Sequence, residues 1–283
     1  MCEFCHKHGE GKAWYLNAEN YSDELMRDLG RRGFMRDFFE KFPARYPGQV
    51  RQLEKLDRMP AFVQRTVRRQ ALRKQKVDHF GQVVPIEEIE KIFGFVTSIV
   101  RLSCICRRTT LGHEHRYCYG VSLAPNGGEW TKLFREIDAG YLVGPETKGL
   151  EELTAGETLA AFRDHEKQGL CHTVWSFRAP FIGGICNCDS ADCLALKFQL
   201  KSRIATLFRA EYIAGIDQDL CSGCRECLRL CSFGALNYSP ARKKISVDAG
   251  RCFGCGICRA ACAKNAIALA DRASVPAAKE LWI

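Results

Sequence analysis

Three features are missing from this 283-residue sequence, and each absence excludes a class of protein. No apolar run approaches the roughly 20 residues that a membrane-spanning helix needs. Residues 1–6 contain neither the basic stretch nor the apolar stretch of a secretory signal, so we expect a cytoplasmic protein. No G-x-G-x-x-G follows a predicted strand and no phosphate-binding P-loop is present, which argues against a self-contained flavin or nicotinamide enzyme.

Cysteine, by contrast, is abundant, with 17 residues in the chain. The hydrophobic content of 46% and the charged content of 27% are ordinary for a soluble globular domain, which has no need of a disulfide scaffold. The cytosol also keeps thiols reduced, so disulfides are a poor explanation for so many cysteines. Metal ligation explains them better.

Eight of the cysteines form two runs near the C-terminus, each spaced C-x2-C-x2-C-x3-C and starting about 31 residues apart. The runs are Cys221, Cys224, Cys227 and Cys231, and Cys252, Cys255, Cys258 and Cys262. This is the spacing of [4Fe–4S] ligands, whereas zinc sites usually use paired C-x2-C segments. The sequence therefore predicts two [4Fe–4S] clusters and one-electron transfer.

Residues 213–269 resemble the bacterial-type two-cluster [4Fe–4S] ferredoxins, on the two cysteine runs and on Gly223, Gly254 and Gly256. The resemblance implies that the fourth cysteine of each run binds the cluster of the other run. One cluster would then be held by Cys221, Cys224, Cys227 and Cys262, and the second by Cys252, Cys255, Cys258 and Cys231. It also implies strands near 212–216, 245–247 and 266–269. Ser232 and Ala263 stand where the family usually has proline.

Basic residues predominate in two parts of the chain. Residues 213–283 hold ten Lys and Arg against six Asp and Glu, which predicts a fixed docking site for an acidic redox partner, such as a flavoprotein or another oxidoreductase subunit. Residues 61–77 contain no acid and carry Arg65, Arg68, Arg69, Arg73, Lys74 and Lys76. That stripe is either a solvated helix face or a second docking surface. Nucleic acid is not favoured, because no recognised binding module accompanies it.

Seven further cysteines lie in the middle of the chain: Cys104, Cys106, Cys118, Cys171, Cys186, Cys188 and Cys193. In a strand, a C-x-C pair places both side chains on one face. Two such pairs, with Cys118 and Cys193, could line one pocket, where Arg107 and Arg108 would offset thiolate charge. The pattern predicts at least one further [4Fe–4S] cluster and leaves a second one open. For any single cysteine, Cys171 above all, a buried apolar role remains the alternative.

These middle segments are similar to those of a family of larger ferredoxin-related proteins. In that family a C-x-C-R segment, a Gly-Leu-x-His segment and a C-N-C segment precede a two-cluster ferredoxin domain. Here the corresponding segments begin at Cys104, Gly169 and Cys186. The resemblance spans roughly residues 96–283 and implies a protein with several clusters.

Cys2 and Cys5 form a C-x-x-C-H motif with His6. The motif is that of covalent haem attachment, which we reject because that chemistry takes place outside the cytosol. Zinc held by Cys2 and Cys5 with His6 or His8 remains open, and so does completion by Cys2 and Cys5 of a cluster that the middle cysteines hold in part. A segment without a ligand is the third alternative.

The predicted fold is α+β in three parts: a basic helical region at 1–80, a cysteine-rich cluster-binding α/β region at 81–212, and a ferredoxin-like domain at 213–283. Helices are predicted over residues 20–42, ended by Pro43 and Pro47, and over 49–76, interrupted near Pro60. A capping box at Thr154 predicts the start of another helix, and a long amphipathic helix is predicted over residues 191–212.

The sequence favours an electron-relay subunit of an anaerobic oxidoreductase complex, with no catalytic residue assigned. The alternative is an iron–sulfur enzyme whose middle cluster is the active site, with His113, His115 and His172 as candidate proton donors. A weaker alternative is a redox-sensing regulator that binds through the basic helix.

Overall fold

The computed structural model describes residues 13–137, 140–143, 149–201 and 203–282. The helices are α1 Asp23–Arg27, α2 Leu29–Asp57, α3 Ala61–Asp78, α4 Ile86–Phe93, α5 Ile105–Leu111, α6 Gly128–Glu136, α7 Gly140–Val143, α8 Ala155–Lys167, α9 Leu194–Leu200 and α10 Glu226–Leu230. The strands are β1 Gly81–Val84, β2 Ser98–Leu102, β3 Cys118–Ser122, β4 Glu151–Leu153, β5 Cys171–Ser176, β6 Ile182–Cys188, β7 Leu207–Phe208, β8 Tyr212–Ile216, β9 Leu236–Ser239, β10 Lys244–Val247 and β11 Ile267–Asp271. Helices and sheets are thus mixed, as predicted.

A seven-stranded sheet, in the order β4-β2-β3-β6-β5-β1-β7, organises the part of the chain before residue 209. Its neighbours pair antiparallel, except that β7 lies parallel to β1. Side chains alternate between two cores, as in β5, where Val174 packs with α4 and α8 and Trp175 packs with α2. The sheet is therefore buried on both faces. Among the described residues, none of the helices combines the length and apolarity needed to cross a bilayer.

The prediction that Pro43 and Pro47 end a helix is wrong, because α2 continues through both to Asp57. On the turns of α2 before Pro43, the rings of Phe38 and Phe39 pack against Phe177, with centroid distances to the Phe177 ring of 5.5 and 5.7 Å. We attribute the continuation to this packing, which offsets the lost backbone hydrogen bonds. The break near Pro60 is confirmed, since α3 starts at Ala61.

The long helix predicted over residues 191–212 is also wrong. Only α9 is helical there, and the chain then forms β7, which pairs with β1, and β8, which pairs with β11. Strand pairing with distant segments overrides local helix periodicity here. The capping box is confirmed: Thr154 Oγ1 accepts from the Glu157 amide, and the Glu157 carboxylate accepts from the Thr154 amide.

The C-terminal part consists of two small antiparallel sheets, β8 with β11 and β9 with β10. The three strands expected there are present, and β9, which was not predicted, completes the second pair. Each cysteine run therefore leaves one strand pair and enters the other. This connection brings the two runs side by side.

Candidate metal centres

Two glycines allow the C-terminal runs to fold tightly. Gly223 has φ +69°, and a Cβ there would lie 2.0 Å from the carbonyl oxygen of Lys243. Gly254 occupies the same place in the second run, with φ +73° and a Cβ that would lie 1.9 Å from the carbonyl oxygen of Tyr212. Only glycine fits so close to backbone in this conformation. The sequence repeat is thus also a repeat of backbone geometry.

The fourth cysteine of each run lies beside cysteines of the other run. Burial raises the pKa of Cys227 to about 11, with contributions from Cys224, Cys262 and Cys221. Burial raises the pKa of Cys258 to about 12, with contributions from Cys252, Cys231 and Cys227. The geometry agrees, because Cys231 lines one small cavity together with Cys252, Cys255 and Cys258 of the other run. We name two groups: the outer set is Cys221, Cys224, Cys227 and Cys262, and the inner set is Cys231, Cys252, Cys255 and Cys258.

Backbone amides are directed at the two interleaved sulfurs. The Ala235 amide donates to Cys231 Sγ, and the Ala266 amide donates to Cys262 Sγ, both at 3.3 Å. Amides placed in this way stabilise negative charge on thiolates. With four thiols in each set, the C-terminal residues fit two [4Fe–4S] groups in donor type, number and hydrogen bonding.

The two sets differ in their access to solvent. Each set has two buried cysteines, but Cys224 of the outer set is exposed, whereas the other two cysteines of the inner set are half-buried. Two arginines that sequence reasoning missed lie beside the inner set. Arg209 donates to the Cys252 carbonyl at 2.9 Å, and fully buried Arg272 donates to it at 3.1 Å. Both lie outside the cysteine motif, so no local signal indicated them.

Six cysteines of the middle region line one cavity of about 650 Å³. We call them the central set: Cys104, Cys106, Cys118, Cys186, Cys188 and Cys193. The predicted shared pocket is therefore present, although only one of the two C-x-C pairs lies in a strand. Cys186 and Cys188 belong to β6, whereas Cys104 precedes α5 and Cys106 lies in its first turn. The sulfurs of Cys118 and Cys186, opposite each other on β3 and β6, are 3.3 Å apart.

The central set forms a connected network of thiols. Hydrogen bonds from Cys106 and Cys118 hold the pKa of Cys104 well below its ordinary value, and Arg107 lowers it further. Hydrogen bonds from Cys106 and Cys188 lower the pKa of Cys193 in the same way. The same hydrogen bonds raise the pKa values of Cys106, Cys118 and Cys188, so the network favours the thiolate at Cys104 and Cys193.

Arg107 is the cation of this network. It is 2% exposed, and its Nη1 lies 3.7 Å from Cys104 Sγ and 3.2 Å from the Asn187 carbonyl oxygen. It also pairs with Asp189, which follows the C-N-C segment. The structure thus places a buried positive charge where the sequence predicted one.

Cys171 lies between the central set and the inner set. It pairs with Cys188 across β5 and β6 and is 1% exposed. Burial raises the pKa of the Cys171 thiol, and Cys193, Asp189 and Cys231 raise it further. Burial and then Cys171 raise the pKa of Cys255. One thiol is therefore close to both groups of cysteines.

The remaining candidates lie elsewhere. His113 and His115 are near solvent, 3.0 Å apart through their Nε2 atoms, while buried His172 Nδ1 lies 2.6 Å from Asn187 Oδ1. Cys2 and Cys5 lie outside the described residues. In the described part of the chain, no group of three or more His, Cys, Asp or Glu side chains is arranged to hold a single metal ion. Cluster ligands differ from such a group because each thiolate binds its own iron.

One comparison with known proteins gave a match. The family described as "4Fe-4S dicluster domain" matches residues 220–266, which contain both C-terminal runs. Comparisons with curated proteins and with solved structures gave no significant match. The chain is therefore an iron–sulfur protein with a C-terminal ferredoxin-type domain and an electron-transfer role.

Proposed function

We propose that this protein is an electron relay with at least three [4Fe–4S] clusters, acting as a subunit of an anaerobic oxidoreductase complex. The outer and inner sets would each hold one cluster, and four thiols of the central set would hold a third. Each bound cluster supplies a one-electron carrier. The observation that carries the proposal is the position of Cys171, which is buried in one core cluster with Cys188 and Cys193 of the central set, against which Cys231 and Cys255 of the inner set pack.

The order of the relay follows from burial. Cys224 is the one exposed cysteine among those described, so the outer set would be the one nearest solvent, and Cys171, packed with cysteines of both other sets, would join the inner set to the central set. The backbone pairing of Cys171 with Cys188 continues this path into β6. An electron would therefore be exchanged with a partner at the outer set and pass inward, or take the reverse route.

The surface around the outer set supports a protein partner with an acidic face. Leu220, beside Cys221, is 53% exposed, and Arg225 and Arg229 are exposed on the next turn. Exposed acids lie there too, at Asp217, Asp219 and Glu226, and Glu226 lies 3.7 Å from Arg229. The case for an acidic partner therefore rests on the excess of basic residues over 213–283 as a whole. The basic face of α3 would be a second contact, since no residue of that helix is buried.

The number of clusters tests the proposal directly. Anaerobically purified protein should contain about twelve iron atoms per chain or more, and a variant with both Cys186→Ala and Cys188→Ala about four fewer. Iron and acid-labile sulfide analysis with EPR during stepwise reduction measures both. A wild-type count of about eight would show that the central set holds no cluster and would refute the three-cluster relay.

Arg107 should set the potential of a central cluster. Arg107→Met removes the buried cation beside Cys104, so the reduced cluster loses stabilisation and its potential should fall by on the order of 100 mV. Redox titration followed by EPR measures this shift. Arg101→Met is the matched control, because it removes an arginine paired with Glu151 on β2. Equal shifts in both variants would contradict the role of Arg107.

A second candidate function is an iron–sulfur enzyme, and one observation favours it. The cavity on which the central set lies is far larger than the thiols alone require, and it reaches the α2–α3 helix pair. A pure relay has no need of such a space. Consumption of a small substrate by the reduced protein in the absence of any partner would favour the enzyme.

A further inference from the structure

We propose that the cavity beside the central set binds a planar, uncharged aromatic molecule. This inference rests on the proposed function, because it places the ligand against a cluster held by the central set. The cavity volume of about 650 Å³ lies within the roughly 300–1,000 Å³ of ordinary small-molecule sites.

The walls of the cavity carry flat aromatic surfaces. The lining includes Phe38, Phe39, Trp130, Trp175 and Phe177. Phe39 stacks on Phe177 with centroids 5.7 Å apart, and Trp130 meets Phe177 edge to face at 5.7 Å. Rings in such offset and edge arrangements offer the geometry that a further aromatic ring prefers. The wall therefore favours a flat ligand over a branched aliphatic one.

Polar residues are a minority of the lining and lie both on its outer side and deeper, where Gln75 and Asp78 are half-buried and Ser103 and Thr206 are buried. Arg45, Gln49, Gln52 and Lys74 are exposed residues of α2 and α3. Deeper in the cavity, the His79 ring is stacked on Trp175, with centroids 4.9 Å apart, and its Nδ1 lies 2.6 Å from the Ser176 carbonyl oxygen. Burial lowers the pKa of His79 to about 4, so the ring is neutral near pH 7. An uncharged ligand matches this interior, since an ion there would lose its hydration.

The cavity extends from the central set to the helix pair α2 and α3. The cysteines line its first end, and the apolar side chains of Leu53, Leu56, Val67 and Ala71 on α2 and α3 line its second end. A cluster held by the thiols would occupy only the first end. A peptide is a poor occupant of the second, because its backbone groups would find few hydrogen-bond partners among apolar side chains. A small aromatic molecule has no such requirement.

A cavity-filling substitution tests the proposal. Ala71→Phe places a ring in the outer end of the cavity, away from the cysteines, whereas Ala61→Phe makes the same change on an exposed turn of α3 that does not line it. The probe is 2-naphthol, titrated by anaerobic calorimetry into the full-length, cluster-loaded protein. We expect one site per chain, about tenfold or more weaker in Ala71→Phe and unchanged in Ala61→Phe. Absence of saturable binding, or equal affinity in both variants, would overturn the proposal.

EPR of the reduced protein separates this proposal from the relay. The probe should alter only the signal that disappears in the Cys186→Ala, Cys188→Ala variant, and leave the C-terminal signals unchanged. If calorimetry detects the site but the iron count is about eight, the pocket exists and the central cluster does not. If the central signal is present and the probe neither binds nor alters it, the relay survives and the pocket proposal fails.

Discussion

Replacing Cys231 with alanine is expected to remove the same [4Fe–4S] cluster as replacing Cys252, although Cys231 belongs to the other run. Cys262→Ala should in turn match Cys221→Ala. The reason is the interleaving of the runs: Cys231 lines one small cavity with Cys252, Cys255 and Cys258, and Cys262 packs on the core cluster that contains Cys221 and Cys227. Each variant should lose about four iron atoms, because a cube with three thiolates is open to loss.

The pairs of variants are compared by the potential and EPR signal of the cluster that remains. Cys231→Ala and Cys252→Ala should both leave the signal of the outer-set cluster. Cys262→Ala and Cys221→Ala should both leave the signal of the inner-set cluster. Ser222→Ala, on an exposed position within the first run, is the control and should retain both clusters. If Cys231→Ala instead matched Cys221→Ala, each run would hold its own cluster and the exchange of fourth ligands would be wrong.

Gly254→Ala is expected to destabilise the C-terminal domain by about 3 kcal/mol or more. The new Cβ would lie 1.9 Å from the Tyr212 carbonyl oxygen, and φ is +73°, so steric overlap adds to backbone strain. Tyr212 starts β8 and pairs with Asp271, so the backbone cannot retreat without opening the sheet. Thermal melting of the cluster-loaded protein, followed anaerobically by circular dichroism, should show a markedly lower midpoint and earlier loss of visible absorbance.

Gly215→Ala is the matched control for this change. Gly215 lies in β8, three residues after Tyr212, and a Cβ there would meet nothing within 4 Å. Its effect should stay within about 1 kcal/mol in either direction. Gly223→Ala should resemble Gly254→Ala, since its Cβ would lie 2.0 Å from Lys243 oxygen. Equal melting of Gly254→Ala and Gly215→Ala would show that the tight turn is not required.

Much of the C-terminal domain was predictable because its information is local. A cluster ligand motif depends on the spacing of a few neighbouring residues, and both the motif and the strands around it follow one short repeat. The start of a helix with a side-chain cap, such as Thr154, was equally predictable, because the capping residue and the amide that it accepts from lie three residues apart.

The wrong predictions concern segments whose secondary structure depends on contacts with residues far away in the sequence. Pro43 and Pro47 are local helix breakers, but aromatic packing holds α2 together around them. Residues after Leu200 have a helical pattern, but pairing with β1 and β11 makes them strands. Most local propensities are worth less than about 1 kcal/mol per residue, and tertiary packing can offset even the roughly 3 kcal/mol of a proline inside a helix.

The sequence by itself determined that this is an iron–sulfur protein, because the spacing of the C-terminal cysteines is that of [4Fe–4S] ligands. It also indicated that six middle cysteines could line one pocket, with Arg107 and Arg108 as the cations beside them. Only the tertiary structure decided that this pocket is a large cavity with aromatic walls, that Arg107 is buried, and that Cys171 packs with both the central and the inner set. Those relations join residues far apart in the chain, and only the pairing of β3, β5 and β6 brings them within contact.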